Sequence, residues 1–171
     1  FNISKEIETQ IDNDTDTFTG IFESQGFESS INMKLSEQFN IGADIAYINA
    51  QNSKYYDAEI GIWATDNVPI NVPKFMSSVR FSYELNKLPL EIGGEANYVS
   101  SRWANVENTV ELKSYFTQNL FIAYHGGNYH FALHVKNLTD DIYAPWSDKY
   151  YPSQAILAQP RQLALSYLVN F

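Results

Sequence analysis

Gln162-Leu163-Ala164-Leu165-Ser166-Tyr167-Leu168-Val169-Asn170-Phe171, at the end of the 171-residue chain, sets the reading of everything before it. Leu163, Leu165, Tyr167, Val169 and Phe171 fall on one side of an extended segment. Gln162, Ala164, Ser166, Leu168 and Asn170 fall on the other. Alternation with period two marks a β-strand whose two faces meet different surroundings.

The same pattern recurs upstream. Phe39, Ile41, Ala43, Ile45 and Tyr47 alternate with Asn40, Gly42, Asp44, Ala46 and Ile48. Leu90, Ile92, Gly94, Ala96 and Tyr98 alternate with Glu91, Gly93, Glu95, Asn97 and Val99. Val79/Phe81/Tyr83/Leu85, Leu120/Ile122/Tyr124 and Phe131/Leu133/Val135 extend it, while 27–35 and 1–7 follow it more loosely. These segments predict eight strands at about 1–9, 20–35, 38–50, 75–85, 90–101, 114–125, 129–137 and 160–171. No segment carries a sustained helical period.

The connections alternate in length. Ser36-Glu37-Gln38, Asn86-Lys87-Leu88-Pro89 and Gly126-Gly127-Asn128 have tight-turn chemistry. The links near 10–19, 51–74, 102–113 and 138–159 are long. Short turns at one end and long loops at the other are the pattern of outer-membrane barrels, and a sandwich has no reason to keep it. In that orientation Phe39, Tyr83, Tyr124, Tyr129 and Phe171 gather at the inner membrane edge, with Tyr47 and Tyr98 near the outer one. Lys34, Asp44, Arg80, Glu84, Glu91, Glu95, His134 and Lys136 share the polar parity, as a wet lumen requires, because an Arg or Lys on the lipid side costs about 2–4 kcal/mol at the midplane. Lys5, in the loose first strand, is the exception. The fold expected is all-β: an antiparallel up-and-down transmembrane β-barrel segment.

Composition agrees. Aromatic residues make up 15% of the chain, with 12 Tyr, 11 Phe and 3 Trp, a load suited to interfacial girdles. No stretch nears the roughly 18 apolar residues of a spanning helix. Mean hydropathy is −0.31, low because only alternate residues face lipid. The absence of Cys rules out disulfides and thiolate metal sites. A net charge of −9 argues against nucleic acid as a partner. The chain opens at Phe1 in what reads as a strand, with no leader, so an N-terminal portion is expected beyond it.

No nucleophile–base–orienter set can be assembled, so no enzyme and no cofactor are expected. His130 and His134 lie on one strand face roughly 13 Å apart and read as lumen-facing polar residues, so no metal site is expected. Asp140-Asp141 read as turn residues and Glu91/Glu95 as solvated wall charges. The sequons at Asn2, Asn13 and Asn137 carry no meaning in a bacterial outer-membrane chain. The long loops hold Tyr55, Tyr56, Trp63, Arg102, Trp103, Tyr143, Trp146, Tyr150 and Tyr151. Aromatics beside a basic residue suit a siderophore, corrinoid or oligosaccharide; the bland alternative is an upper girdle that packs the loops. Trp63, Arg102, Trp103, Trp146 and Tyr150 are the candidate ligand contacts.

Several phrases carry a family resemblance. His134-Val135-Lys136-Asn137-Leu138-Thr139-Asp140-Asp141-Ile142-Tyr143 resembles the Asn-Leu-(Phe/Thr)-Asp…Tyr signature after the penultimate strand of TonB-dependent receptors. Gln159-Pro160-Arg161 followed by alternation to Phe171 resembles their final strand. Ser24-Gln25-Gly26-Phe27-Glu28, Asn71-Val72-Pro73-Lys74 and Asn97-Tyr98-Val99-Ser100-Ser101-Arg102 are similar to earlier strand words, in the family's order. Asn170 replaces an Arg common before the final Phe. The family's plug and TonB box have no counterpart here.

The resemblance implies the C-terminal portion of a barrel of about 22 strands. It implies an outward-facing ligand site, most commonly for a ferric siderophore, with import driven by the TonB complex through the absent N-terminal part. It also implies that Leu163, Leu165, Tyr167, Val169 and Phe171 form the strand read by the barrel-assembly machinery, beside outer-membrane lipid. The rival is a complete eight-stranded barrel with a structural or adhesion role. An outer-membrane enzyme is disfavoured. Pairing of the first strand with the last separates the first two.

Overall fold

The computed structural model describes residues 1–10, 17–57 and 61–170. The described elements are β1 (Asn2–Gln10), β2 (Thr17–Lys34), β3 (Phe39–Asp57), β4 (Ile62–Ala64), β5 (Phe75–Glu84), β6 (Leu90–Val99), β7 (Arg102–Trp103), β8 (Glu111–Leu112), β9 (Tyr115–Gly126), β10 (Tyr129–Lys136), β11 (Trp146–Ser147), β12 (Ala155–Ile156) and β13 (Gln162–Val169). The wall is one antiparallel sheet in the order β1-β2-β3-β5-β6-β9-β10-β13, so neighbours in sequence are neighbours in space. β1 and β13 are its edges and do not pair with each other, which disfavours the small closed barrel.

The register explains the two faces. Met33, Ile41, Phe81, Gly94, Leu120, Val135 and Leu163 form one cross-strand row. Phe39, Tyr83, Ile92, Ile122, Leu133 and Leu165 form another. Phe81, Ile92, Ile122, Leu133, Leu163 and Leu165 are exposed, the last two by more than 70%. A continuous exposed apolar face of this extent is suited to lipid. The opposite face carries Asn32-Gly42-Arg80-Glu95-Asn119 and Ser30-Asp44-Ser78-Asn97-Thr117.

Two aromatic belts bound the apolar face. At the turn end, Phe39 meets Tyr83 at 6.3 Å, Tyr124 meets Phe131 at 6.3 Å, and Phe131 stacks on Tyr167 at 4.7 Å between ring centroids. At the loop end, Phe27 stacks on Tyr47 at 6.0 Å and Phe75 meets Tyr98 at 6.1 Å. From Phe75 to Tyr83, at about 3.4 Å per residue and a tilt near 40°, the belts stand roughly 21 Å apart along the membrane normal, close to the ~25 Å apolar band of such barrels. Phe171, expected in the first belt, lies outside the described residues.

The structure corrects the reading of the first strand. β1 pairs only with residues 17–25 of β2, on the loop side of the Phe27–Tyr47 belt. Residues 2–10 therefore lie beyond the lipid-facing band. Its register sets Ile3 opposite Ser24 and Lys5 opposite Phe22, on the parity that β2 gives to Glu28 and Ser30. Lys5 thus sits on the inner side, and the apolar residues Phe1 and Ile3 share that side. Residues 2–10, paired above the belts, face no lipid, which is why their pattern is loose.

β2 and β3 also run further than expected. They stay paired to Ile21 and Lys54, with a register shift at Ile21/Phe22, and β4 adds to the far end of β3. β1 and β2 stay paired to Gln10 and Thr17, inside the expected loop at 10–19; residues 11–16 lie outside the described residues. Ser36 Oγ closes the first turn by accepting from the amides of Gln38 (3.2 Å) and Phe39 (3.1 Å). The β9–β10 turn is shorter than expected: Gly126 pairs with Tyr129, leaving Gly127-Asn128 as a two-residue turn. Gly127 has φ of 55°, which the first central position of a primed hairpin turn demands.

Candidate functional site

Two regions present chemistry: the inner wall and the platform of loops. The inner wall carries a knot of charge around Arg80. Arg80 on β5 donates through Nη1 to Asp44 on β3. Its Nη2 donates to Asn32 Oδ1 on β2 at 2.6 Å. Ser30 and Ser78 hydroxyls donate to the same carboxylate at 2.5 and 3.0 Å. The guanidinium crosses β3 over Gly42, where a Cβ would stand 2.7 Å from Arg80 Nε and 2.7 Å from Asn32 Oδ1. A hollow of about 740 Å³ opens beside it, lined by Asn32, Asn40, Arg80, Ser82, Asn119 and His134 among others.

The loops are built by asparagines. Asn71 Nδ2 donates to the Ser147 carbonyl at 2.8 Å, and its Oδ1 accepts from Ser147 N at 3.0 Å. Ser147 is 1% exposed, and its hydroxyl donates to the Ala104 carbonyl at 3.1 Å. Asn108 makes the same two-sided contact with the backbone of Val68, at 2.7 and 2.9 Å. Asn137 binds the amide and carbonyl of Asp141 and the carbonyl of Gln159. Among the described residues the non-glycine positions with positive φ are Asp66, Asn71, Asn108, Asn137 and Asp140, residue types that tolerate the left-handed region. Lys149 pairs with the nearly buried Asp57 at 3.3 Å. Three loops, 61–74, 100–114 and 137–161, thus join at the outer end of the wall.

The candidate contacts from the sequence divide. Trp63, Trp146 and Tyr150 are each close to half exposed. Trp63 packs on Tyr56 at 4.9 Å with Lys54 Nζ 5.6 Å above its ring. Lys149 Nζ lies 5.1 Å from the Tyr150 ring. Trp103 is partly covered, in the two-residue ribbon β7–β8. Arg102, its neighbour, is 3% exposed. It donates through Nη2 to the Ala144 carbonyl and lies 5.3 Å from the Tyr115 ring, which stacks on Tyr143 at 4.2 Å. Its Nη1 is buried without a hydrogen-bond partner. Burial pulls the Arg102 pKa below the ordinary guanidinium value, with Tyr115 opposing the shift. Burial and then Tyr115 push Tyr143 above the usual phenol range. Of the five candidates, Arg102 is buried, Trp103 is partly covered, and Trp63, Trp146 and Tyr150 are half exposed.

Asp140 fits its expected turn role, with φ of 59° and its carboxylate accepting from Arg161 N at 2.6 Å. Sequence reasoning missed His125, which faces His130 across the β9–β10 hairpin. The two-residue turn carries the signal, since it fixes which residues oppose each other. Among the described residues no group of three or more His, Asp and Glu side chains is arranged to hold a metal.

Comparison with known proteins completes the description. A family model for the TonB dependent receptor-like β-barrel matches residues 2–138. The metal-pseudopaline receptor CntO of Pseudomonas aeruginosa is 30% identical over 153 residues, covering 86% of this chain and 21% of that protein. A probable TonB-dependent siderophore receptor, PiuA of Acinetobacter baumannii, is 27% identical over 174 residues, covering 95% and 22%. The crystal structure of PiuA superposes with a TM-score of 0.76 at 23% identity, over 96% of this chain and 24% of that one. The ferric citrate transporter FecA superposes with a TM-score of 0.78 at 21% identity, over 98% and 28%. The chain spans about a fifth of the length of the curated relatives it matches.

Proposed function

Since the chain belongs to the TonB-dependent receptor β-barrel family, we propose that it is the C-terminal part of the barrel of a receptor that binds a scarce extracellular nutrient and imports it with TonB energy. The family is one of transport receptors in the outer membrane of Gram-negative bacteria. A plug domain, the remaining strands and the contact with TonB belong to the rest of that receptor. One relative is named a metal-pseudopaline receptor and another a probable TonB-dependent siderophore receptor, so a ferric siderophore, or another metal chelate, is the cargo class.

What carries this reading is the loop platform. Three loops lock together on the outer end of the wall, beyond the belts, and leave Trp63, Trp146 and Tyr150 half exposed. We assign ligand contact to these three and to Trp103, with Arg102 holding the platform in shape from behind. The test is uptake of radiolabelled ferric siderophores by a deletion strain carrying the full-length receptor or its variants. Deletion abolishes uptake of the cognate chelate, and Trp63→Ala, Trp146→Ala or Tyr150→Ala weakens binding at normal surface abundance. Unchanged uptake of every metal chelate on deletion overturns the reading.

The last strand serves assembly. We assign Leu163, Leu165, Tyr167, Val169 and Phe171 to recognition by the barrel-assembly machinery, which can pair with a free strand edge by β-augmentation. Deleting Phe171 from the full-length receptor then lowers surface abundance far more than it alters ligand affinity. Normal abundance with lost binding contradicts this role.

A further inference from the structure

The histidine pair at the turn end of the inner wall is used by neither transport nor assembly as described. Gly126 and Tyr129 close the β9–β10 turn, so His125 and His130 stand directly opposite. His125 donates its backbone N–H away from β10, to the Pro89 carbonyl at 2.7 Å. The two histidines therefore form a non-hydrogen-bonded cross-strand pair, the kind in which side chains approach most closely. Both share the inner parity with Ala123 and Ala132.

Their Nδ1 atoms lie 3.3 Å apart. Two nitrogens bound to one tetrahedral Zn2+ at about 2.0–2.1 Å lie about 3.3–3.4 Å apart. Glu91 Oε2 on β6 is 3.2 Å from His125 Nε2. As acceptor of the Nε2 proton, this carboxylate leaves the His125 Nδ1 lone pair facing His130. A carboxylate behind a ligating histidine is the usual support of a metal site. Asn170 Nδ2 is 3.5 Å from His130 Nε2, and a turn of that carboxamide presents its oxygen to an Nε2 proton. Glu84, paired with Glu91, adds negative charge on the same face. Water or a side chain from the rest of the receptor would complete the coordination shell.

We propose that His125 and His130 bind a divalent metal of the imidazole-preferring class, Zn2+ foremost, with Glu91 as the orienting carboxylate. Two protein ligands make the site exchangeable, a clip across the hairpin. It lies at the opposite end of the wall from the loops and is independent of the cargo assignment.

The test uses the full-length receptor in detergent, stripped of metal. Zn2+ alone is titrated against a chromophoric chelator, and Cu2+ is added for electron paramagnetic resonance. One Zn2+ per receptor is expected, lost in His125→Ala and in His130→Ala and retained in His134→Ala. Glu91→Gln weakens binding by about 10–100-fold. The Cu2+ spectrum shows two imidazole nitrogens in the native protein and one in either single variant. Equal Zn2+ binding by the native receptor and the double variant overturns the proposal. So does the absence of binding by the native receptor, and the 3.3 Å contact is then a ring-to-ring hydrogen bond. Should an alanine variant fail to assemble, the nitrogen count on the native protein decides alone.

Discussion

Strand β5 and the eleven or so residues before it are consecutive in the chain, yet they are held by different means. Along β5, residues Met76–Tyr83 pair by backbone on both sides, with β3 and with β6. In the preceding loop, Asn67 Nδ2 reaches the Val106 carbonyl at 2.7 Å, Val68 is gripped by Asn108, and Asn71 grips Ser147. The wall is a repeating lattice in which any one side chain matters through the face it joins. The loops are a set of individual side-chain-to-backbone contacts between residues far apart in sequence. A substitution in the wall is therefore judged by its face, and one in the loops by its partner.

The largest expected effect tests the face rule. Val79 is exposed on the outer face, midway between the Phe75 and Tyr83 belts. Val79→Arg should cost about 2–4 kcal/mol, read as a lower midpoint in urea titration of barrel refolded into vesicles. Leu165→Arg should impair assembly in the same direction, while Ser166→Arg, one residue on and facing inward, is tolerated better. Equal losses for these last two break the face assignment.

Next comes the partner rule. Asn71→Ala strips the Ser147 amide and carbonyl of their side-chain partner in a buried position, a loss of about 1–3 kcal/mol confined to the loops. Asn71→Gly relieves the positive φ yet lacks the same bonds. Both variants should insert normally and show faster proteolysis and hydrogen exchange in the loops, with glycine the milder. Normal loop protection in both removes the side-chain bond from the account.

A smaller effect belongs to the belt. Phe131 stacks on Tyr167 and meets Tyr124. Phe131→Leu keeps apolar contact and loses the ring pairing, about 0.5–1.5 kcal/mol, read in the same refolding titration. The smallest is Lys34→Ala. Its bridge to Glu37 joins side chains 55% and 84% exposed, and refolding should shift by no more than about 1 kcal/mol.

The same contrast explains what the sequence made legible. The belts, the two faces and the sheet order follow from period two and alternating link length, which are local quantities. Lys5 stood out as an anomaly because parity alone does not say where a strand stops facing lipid; register with Phe22 does. The loop ribbons at Arg102–Trp103 and Trp146–Ser147 carry no periodic signature. Their order comes from partners as distant as Asn71 and Ser147, which are 76 residues apart. Arg102 is legible as a basic residue among aromatics, but its burial behind Ala144 and Tyr115 depends on the 137–161 loop and the start of β9 meeting over it. His125 and His130 sit on different strands, so their pairing depends on the length of the turn between them and not on spacing within one strand.

The glycine under Arg80 has a consequence for errors during assembly. A strand that slips by one residue turns its apolar side chains toward water and is rejected by burial. A slip by two residues keeps every side chain on its proper face, so burial cannot detect it. With β3 displaced by two relative to β5, Asn40 or Asp44 would replace Gly42 beneath the guanidinium. A Cβ there meets Arg80 Nε and Asn32 Oδ1 at 2.7 Å. The only alignment that lets Arg80 span from β5 to Asn32 on β2 is the one in which a residue without a side chain lies in between. Gly42 thus leaves room for a contact that a two-residue slip forfeits: a Cβ there pushes the ends of the Arg80 and Asn32 side chains aside, although every side chain stays on its proper face.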